Sequence, residues 1–449
     1  MAPGYLRSKS VVRFLGRMLI DWQFDMIQSM GISKAIVVTR FKENRQQTRD
    51  RLGYRRGGVE VRYTPSSFDL DVRGSAEATR DALLQMRREW PQFVKKYTLV
   101  VPCDQFFTLN LEKMISVHEQ KQASLTLVDE LQPVTLIADT YGWIMADSTD
   151  PEIVRELLEK PSREEMAGRL QVPVASLENR LGRMSAGLYL FKTDDFLDAT
   201  SSGRFAEFRD ELEEQQGSGF TGVDFGRHYF RWLPEQGGII ARVEVDELGD
   251  LGNIKRFITA QKQALNGRYD LINKRFNGSG SDCGQRVWVD DETLDWRCGG
   301  MTLRERVAQG AVRMSNSVIG RFVRIHGTPE HPVIIGSSSI EEEVEIYEGA
   351  EIYSSHIGRN SLLGTHARIE RSYIGVEVGI QSSLLCDRTS IEEYAVLQDT
   401  VTICPGTKLC GQHIGPRLTV RASDVLPANA DVTDPVKFRH YTGRYGLDR

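Results

Sequence analysis

Residues 340–380 read IEEEVEIYEGAEIYSSHIGRNSLLGTHARIERSYIGVEVGI. In and beyond this stretch, aliphatic residues fall at Ile340, Ile346, Ile352, Ile357, Leu363, Ile369, Ile374, Ile380, Leu385, Ile391, Leu397, Ile403 and Leu409, at intervals of five or six. A smaller residue often stands four places on, as at Val344, Ala350, Ser361, Ala367, Val378, Ala395 and Thr407. A strand repeats every two residues and a helix about every 3.6, so a sustained period of six predicts short strands and turns wound into a β-helix. Each coil covers its neighbour's aliphatic residue and none buries it alone, which makes the array one cooperative unit. Cys386, Cys404 and Cys410 each directly follow an inward aliphatic residue, a position where packing explains them without metal or redox chemistry.

Upstream of the repeat the pattern changes. From Ile32 to about Leu265 apolar β-rich runs alternate with helical stretches, the order expected of an α/β layered domain. Ala35 to Thr39, Val59 to Tyr63 and Tyr97 to Val101 are predicted strands; Ser75 to Arg88 and Leu111 to Gln122 are predicted helices. The expected sheet is mostly parallel, and such sheets place ligands beyond the carboxyl ends of their strands, here Thr39 onward and Pro102 to Asp104. Between Gly267 and about Asn316 the signals weaken at Asn277-Gly278-Ser279-Gly280-Ser281 and at Gly299-Gly300. The expected division is an α/β domain at 1–266, a linker at 267–316, the β-helix at 317–420 and a tail at 421–449.

The chain has 449 residues, 40% hydrophobic and 27% charged, which suits two or three soluble domains of roughly 100–200 residues. A net charge of -5 argues against a nucleic-acid-coating protein, because phosphate neutralisation needs surplus Lys and Arg. No run approaches the ~18 apolar residues of a membrane span, and Met1 to Lys9 lacks the apolar core of a signal peptide. The expected location is cytoplasmic. Six cysteines without a Cys-x-x-Cys pair give neither a disulfide scaffold nor a zinc site. Asn277-Gly278-Ser279 reads as a flexible turn before it reads as a glycosylation site.

Seven short segments follow in order: Lys9-Ser10-Val11-Val12-Arg13-Phe14-Leu15-Gly16-Arg17 with Leu19-Ile20-Asp21 behind it, Gly74-Ser75-Ala76, Pro102-Cys103-Asp104, Glu159-Lys160-Pro161, Ser185-Ala186-Gly187, Asp224-Phe225-Gly226 and Asp250-Leu251-Gly252. The series resembles the motifs of the sugar-nucleotide pyrophosphorylases, a nucleotidyltransferase family, and the repeat resembles the hexapeptide repeats of left-handed β-helix proteins. Together the two cover most of the chain. A Rossmann-like, mostly parallel α/β domain followed by a left-handed β-helix is the layout of glucose-1-phosphate adenylyltransferases and of many mannose-1-phosphate guanylyltransferases.

The resemblance implies a reaction between a nucleoside triphosphate and a sugar 1-phosphate, in which a phosphate oxygen attacks the α-phosphorus and pyrophosphate leaves. Two anions must meet, so fixed positive charge is needed. By resemblance, Mg²⁺ is held by Asp104 and Asp250, and oxygen donors suit that ion. Lys9 lies against the triphosphate or the attacking group, and Lys160 holds the sugar phosphate. Glu159 accepts from sugar hydroxyls, Ser185 and Gly187 line the sugar pocket, and Gly74 and Ser75 face the base, Gly74 because a side chain would block its approach. A helix cap at Asp104, a turn at Asp250 and a plain strand start at Ser185 are the structural alternatives.

One element of the family is absent from these 449 residues: the glycine-rich G-x-G-T-R loop whose backbone N–H groups cradle phosphate. Met1-Ala2-Pro3-Gly4 lines up with the residue after its Arg, so the cradle and the first strand are expected to be missing and turnover abolished. A start placed too far downstream and a degenerate family member both explain this. Three functions therefore compete: a pyrophosphorylase of the adenylyl or guanylyl type, a non-catalytic regulatory subunit binding nucleotide-sugars, and an acyltransferase using His356 or His366 in the repeat. A homo-oligomer is expected, because stacked coils leave flat faces and an open end to cover.

Overall fold

The computed structural model describes residues 9–69, 73–276, 281–381, 390–392, 395–398 and 400–443. The described residues divide into two compact units, one comprising residues 9–11 with 20–248 and the other residues 12–19 with 249–443.

The first unit is α/β. Its elements begin with α1 (Leu19–Ser29), β1 (Lys34–Val37), β2 (Val59–Tyr63), α2 (Ser75–Glu89), β3 (Tyr97–Val100) and α3 (Leu111–Gln120). They continue with β4 (Leu125–Pro133), β5 (Gly142–Ala146), β6 (Val154–Glu159), β7 (Leu181–Lys192) and β8 (Ile240–Glu244). In α2, Ala76, Ala82, Leu83 and Met86 are buried at helical spacing. In β7, Met184, Ala186, Leu188 and Leu190 alternate inward.

Parallel pairing, expected for the sheet, joins β1 to β2 and β4 to β8. The long strand β7 instead runs antiparallel to β3, β4 and β5, and β5 runs antiparallel to β6. β1 and β2 form a separate small sheet with the short strand Arg55–Arg56. Among the described residues no strand pairs with the second edge of β1 or of β3. The core behind β7 is aromatic: Phe191 stacks on Phe196 at 4.1 Å, and Phe225, Tyr229 and Trp232 continue the cluster. Each such burial is worth roughly 1.5–3 kcal/mol. Asp129 on β4 is fully buried and paired with Arg242 and Arg183.

The second unit stacks parallel strands, two to four residues long from Arg324 onward, in three ladders. Ile340, Ile357, Ile374, Leu397 and Ile414 stack in one. Ile346, Leu363, Ile380 and Ile403 stack in another, and Ile335, Ile352, Ile369, Ile391 and Leu409 in the third. All are buried, as the six-residue period requires of a β-helix. Leu385 and Cys386 lie outside the described residues. Cys404 is half-buried and Cys410 exposed, so neither fills the interior.

Residues 267–316, expected as a linker, carry folded structure. β9 (Gly284–Val289) runs parallel to β10 (Val312–Ile319), and β10 pairs with Val333–Gly336 and Ser339–Ile340 to begin the ladders. In the expected tail, Asp431–Val432 pairs with His413–Ile414 and the helix Pro435–Thr442 buries Phe438. Helix α4 (Ile254–Leu265) lays Phe257 against His356 and Tyr373. No described helix is long and apolar enough to cross a membrane.

Candidate active site

The first unit contains a cavity of about 950 Å³. One part is apolar, lined by Phe24 and Ile27 of α1, the residues of β1 and β3, and Leu83 of α2. The other part is polar, and there Lys9, Ser75, Gly187, Tyr189 and Asp224 converge from distant sequence positions. Of the residues singled out in the sequence, Lys9, Ser75 and Gly187 line this cavity directly.

The loop after β3 is fixed from α1, where Gln23 Nε2 donates to the carbonyls of Pro102 at 2.7 Å and Gln105 at 3.3 Å. This presents Asp104 to Lys9, whose Nζ lies 3.0 Å from Asp104 Oδ2. Asp104 makes an ion pair, and the strand Gln105–Thr108 follows it directly, so it caps no helix; Asn110 caps the next one. Opposite, the pairing of β7 with β4 shifts between Ser185 and Tyr189. Gly187 at φ 72° carries this bulge, and a Cβ there would come within 3.1 Å of Pro102 Cγ. A bulge of this kind re-aims neighbouring side chains.

Ser75 and Asp224 form the next contact. Ser75 Oγ donates to Asp224 Oδ2 at 3.1 Å and accepts from the Phe225 N–H at 3.0 Å. Asp224 Oδ1 accepts from the Gly226 N–H at 3.0 Å. Buried Glu77 holds the preceding residue, accepting from the Val223 N–H at 3.0 Å. The structure gives Gly74 a reason of its own: a Cβ there would lie 2.2 Å from the Val223 carbonyl.

Glu159 ends β6 beneath these groups. A Cβ on Gly226 would lie 2.7 Å from Glu159 Oε2, and one on Gly142 would lie 3.1 Å from the same oxygen and 3.2 Å from Ser185 Cβ. Burial, then the charge of Asp224, raises the Glu159 carboxyl above its ordinary value, against the pull of Lys160 and Arg227. Lys160 is exposed at φ 52°, a left-handed conformation that is uncommon for a side-chain-bearing residue and clusters at functional sites. Its N–H is tied to the Tyr141 carbonyl at 3.0 Å.

Asp250 belongs to the other unit. Its Oδ1 accepts from the Gly252 N–H at 2.6 Å, as a turn residue does, and its Oδ2 meets Arg256 at 2.8 Å. Among the described residues no group of three or more His, Cys, Asp or Glu side chains is placed to hold a metal. Asp104, a hard oxygen donor at a strand end, nevertheless suits an ion that takes one or two carboxylates plus substrate phosphates.

The histidines of the repeat are placed differently. His356 is 1% exposed, stacked on Tyr373 at 4.8 Å, with Nε2 3.6 Å from Glu341 Oε1. It is shut away from any incoming acyl donor. His366 packs edge-on against His331 at 5.1 Å. Gln23, Tyr189 and Asp224 were not named as site residues from the sequence. Asp224 had a signal in its Asp224-Phe225-Gly226 segment, whereas Gln23 had none.

Together these groups form a cavity with the Lys9–Asp104 ammonium–carboxylate pair beside it. The sequence model of the nucleotidyl transferase family matches residues 5–266, and the chain belongs to that family. It is 25% identical over 381 residues to a glucose-1-phosphate adenylyltransferase of Desulfitobacterium hafniense (strain Y51), covering 80% of this chain and 83% of that one. It is 24% identical over 357 residues to a glucose-1-phosphate adenylyltransferase of Bacillus cereus (strain Q1), covering 78% of each.

Proposed function

We propose that the chain is a sugar-1-phosphate nucleotidyltransferase whose substrates are a nucleoside triphosphate and a sugar 1-phosphate, ATP and glucose 1-phosphate being the pair that the names of its relatives favour. The observation that carries this reading is the convergence of Lys9, Ser75, Gly187 and Asp224 on one cavity, with Asp104 held beside Lys9. Lys9 is a mobile point charge that meets phosphate oxygens as negative charge builds on them. Ser75 and Asp224 set the base end, and Glu159 with Lys160 sets the sugar-phosphate end. The half-buried Glu159 accepts hydroxyl protons in hydrogen bonds once ionised.

Mg²⁺, when bound, would screen the triphosphate charge and polarise the reacting phosphorus. Asp104 is the carboxylate of this unit that would hold it; Asp250 is assigned by family resemblance. A homo-oligomer belongs to the same proposal.

Pyrophosphate release is the test, measured across four nucleoside triphosphates and several sugar 1-phosphates, with and without Mg²⁺. Release confined to ATP with glucose 1-phosphate supports the adenylyl reading, and GTP with mannose 1-phosphate supports the guanylyl one. A second reading is a non-catalytic regulatory subunit that binds nucleotide-sugars. Saturable binding of nucleotide-sugar without pyrophosphate release selects it. Absence of both binding and release overturns both readings.

A further inference from the structure

A second cluster of reactive groups lies in the unit that carries the β-helix, and the nucleotidyltransferase reading does not use it. The strands Arg324–Ile325 and Glu345–Ile346 pair in register, with Ile325 and Ile346 inward. Side chains alternate across a strand, so Arg324, His326, Glu345 and Tyr347 share the outer face. There His326 Nε2 lies 2.9 Å from Glu345 Oε1. Tyr347 stacks on the imidazole at 4.8 Å and donates its hydroxyl to the same oxygen at 3.2 Å. Arg324 holds the other carboxylate oxygen at 3.3 Å. With Nε2–H directed at a carboxylate, Nδ1 is the nitrogen left to accept a proton.

Cys298 is brought to this imidazole from outside the coil. Its Sγ lies 3.8 Å from His326 Nδ1 and 3.9 Å from Nε2, and the thiol is only half-buried. The turn Cys298-Gly299-Gly300-Met301 is closed by hydrogen bonds between Cys298 and Met301, with both glycines at positive φ. Arg297 is tied to the Gly300 carbonyl at 2.7 Å. Buried Arg306 clamps both partners, donating to the carbonyl of Cys298 at 2.7 Å and to that of Gly327, the residue after His326, at 3.1 Å. A nucleophile, a base and a group that orients the base are the parts of an activated thiol.

We propose that Cys298, His326 and Glu345 form a thiol-exchange site, at which Cys298 is reversibly modified by a low-molecular-weight disulfide. His326 Nδ1 takes the thiol proton, and the thiolate attacks one sulfur of the disulfide. The Cys298–S bond forms as the S–S bond of the reagent breaks. The departing thiolate collects the proton from His326, so no other oxidant is required.

The full chain is exposed to oxidised glutathione between pH 6 and 9, and modification at each cysteine is followed by mass spectrometry. Cys298 is expected to react about tenfold faster at pH 7 than the exposed Cys410, and to be released by reductant. His326→Asn is expected to slow Cys298 about tenfold. Glu345→Gln, which leaves the imidazole without its carboxylate partner, is expected to slow it as well, so a second variant tests the site if the first folds poorly. Equal rates at Cys298 and Cys410, or a Cys298 rate that neither variant lowers, overturns it.

Discussion

Lys9 Nζ and Asp104 Oδ2 are 3.0 Å apart across 95 positions of sequence. Each half of this pair is the natural partner of something the substrates bring: a phosphate for the ammonium, a divalent cation for the carboxylate. Asp104→Asn is expected to leave Mg²⁺-free nucleotide binding no weaker while removing the gain that Mg²⁺ gives. Lys9→Met is expected to weaken binding under both conditions. Calorimetric titration with and without Mg²⁺ separates the two, and where turnover is measurable each variant should lose about 10²–10³ in rate.

Gly74→Ala places a methyl group 2.2 Å from the Val223 carbonyl. The backbone that must yield carries Asp224, so the cost, on the order of 1–3 kcal/mol, falls on the loop facing the cavity. A lowered melting temperature together with weaker nucleotide binding is expected. Unchanged binding would show that Asp224 does not depend on this contact.

The buried Asp129 is held by Arg242 at 2.8 Å and by Arg183 at 3.3 Å. Asp129→Ala leaves buried Arg242 with only the exposed Glu244 at 3.7 Å and the Pro151 carbonyl at 3.0 Å, which costs about 3 kcal/mol. Denaturant titration should show a midpoint shift of that size. Arg183→Ala should shift it far less, because Arg183 is partly exposed and Arg242 still pairs with Asp129.

Glu341 and His356 give a pH dependence with two opposed arms. Burial raises the Glu341 carboxyl from 4.5 to about 7, against the pull of Arg13 and Arg359 and with a push from Glu342. The folded state thus favours the protonated acid, and its contribution, complete below 4.5, is lost as pH rises to about 7. Burial, helped by Arg13, lowers His356 from 6.5 to about 3. Its contribution, complete above 6.5, is lost as pH falls toward 3. Glu341→Gln should abolish the upper arm and His356→Gln the lower one in urea titrations between pH 3 and 8, each arm spanning a few kcal/mol.

The β-helix was legible because one interval is obeyed coil after coil, and Ile346, Leu363 and Ile380 end up stacked in the order the spacing dictates. The direction of β7 was not legible. Alternation in Met184, Ala186 and Leu188 identifies a strand, but which neighbours it takes is decided by long-range packing. Residues 267–316 were obscured by Gly299-Gly300 and by the Asn277 to Ser281 run, which advertise a break; β9 and β10 are held by pairing with each other and with Val333–Gly336. At the site, short motifs located Lys9, Ser75 and Gly187, but no spacing pairs Lys9 with Asp104 or sends Gln23 to the Pro102 carbonyl. Those relationships belong to the folded chain.

The apolar part of the cavity has a practical corollary. β1 and β3 both border it, and each offers a row of amide and carbonyl groups that no other described strand engages. Such rims recruit extended segments indiscriminately. During refolding from denaturant, yield should therefore drop with protein concentration and light scattering should climb. A lysine in place of Val37 at one rim should reduce both effects.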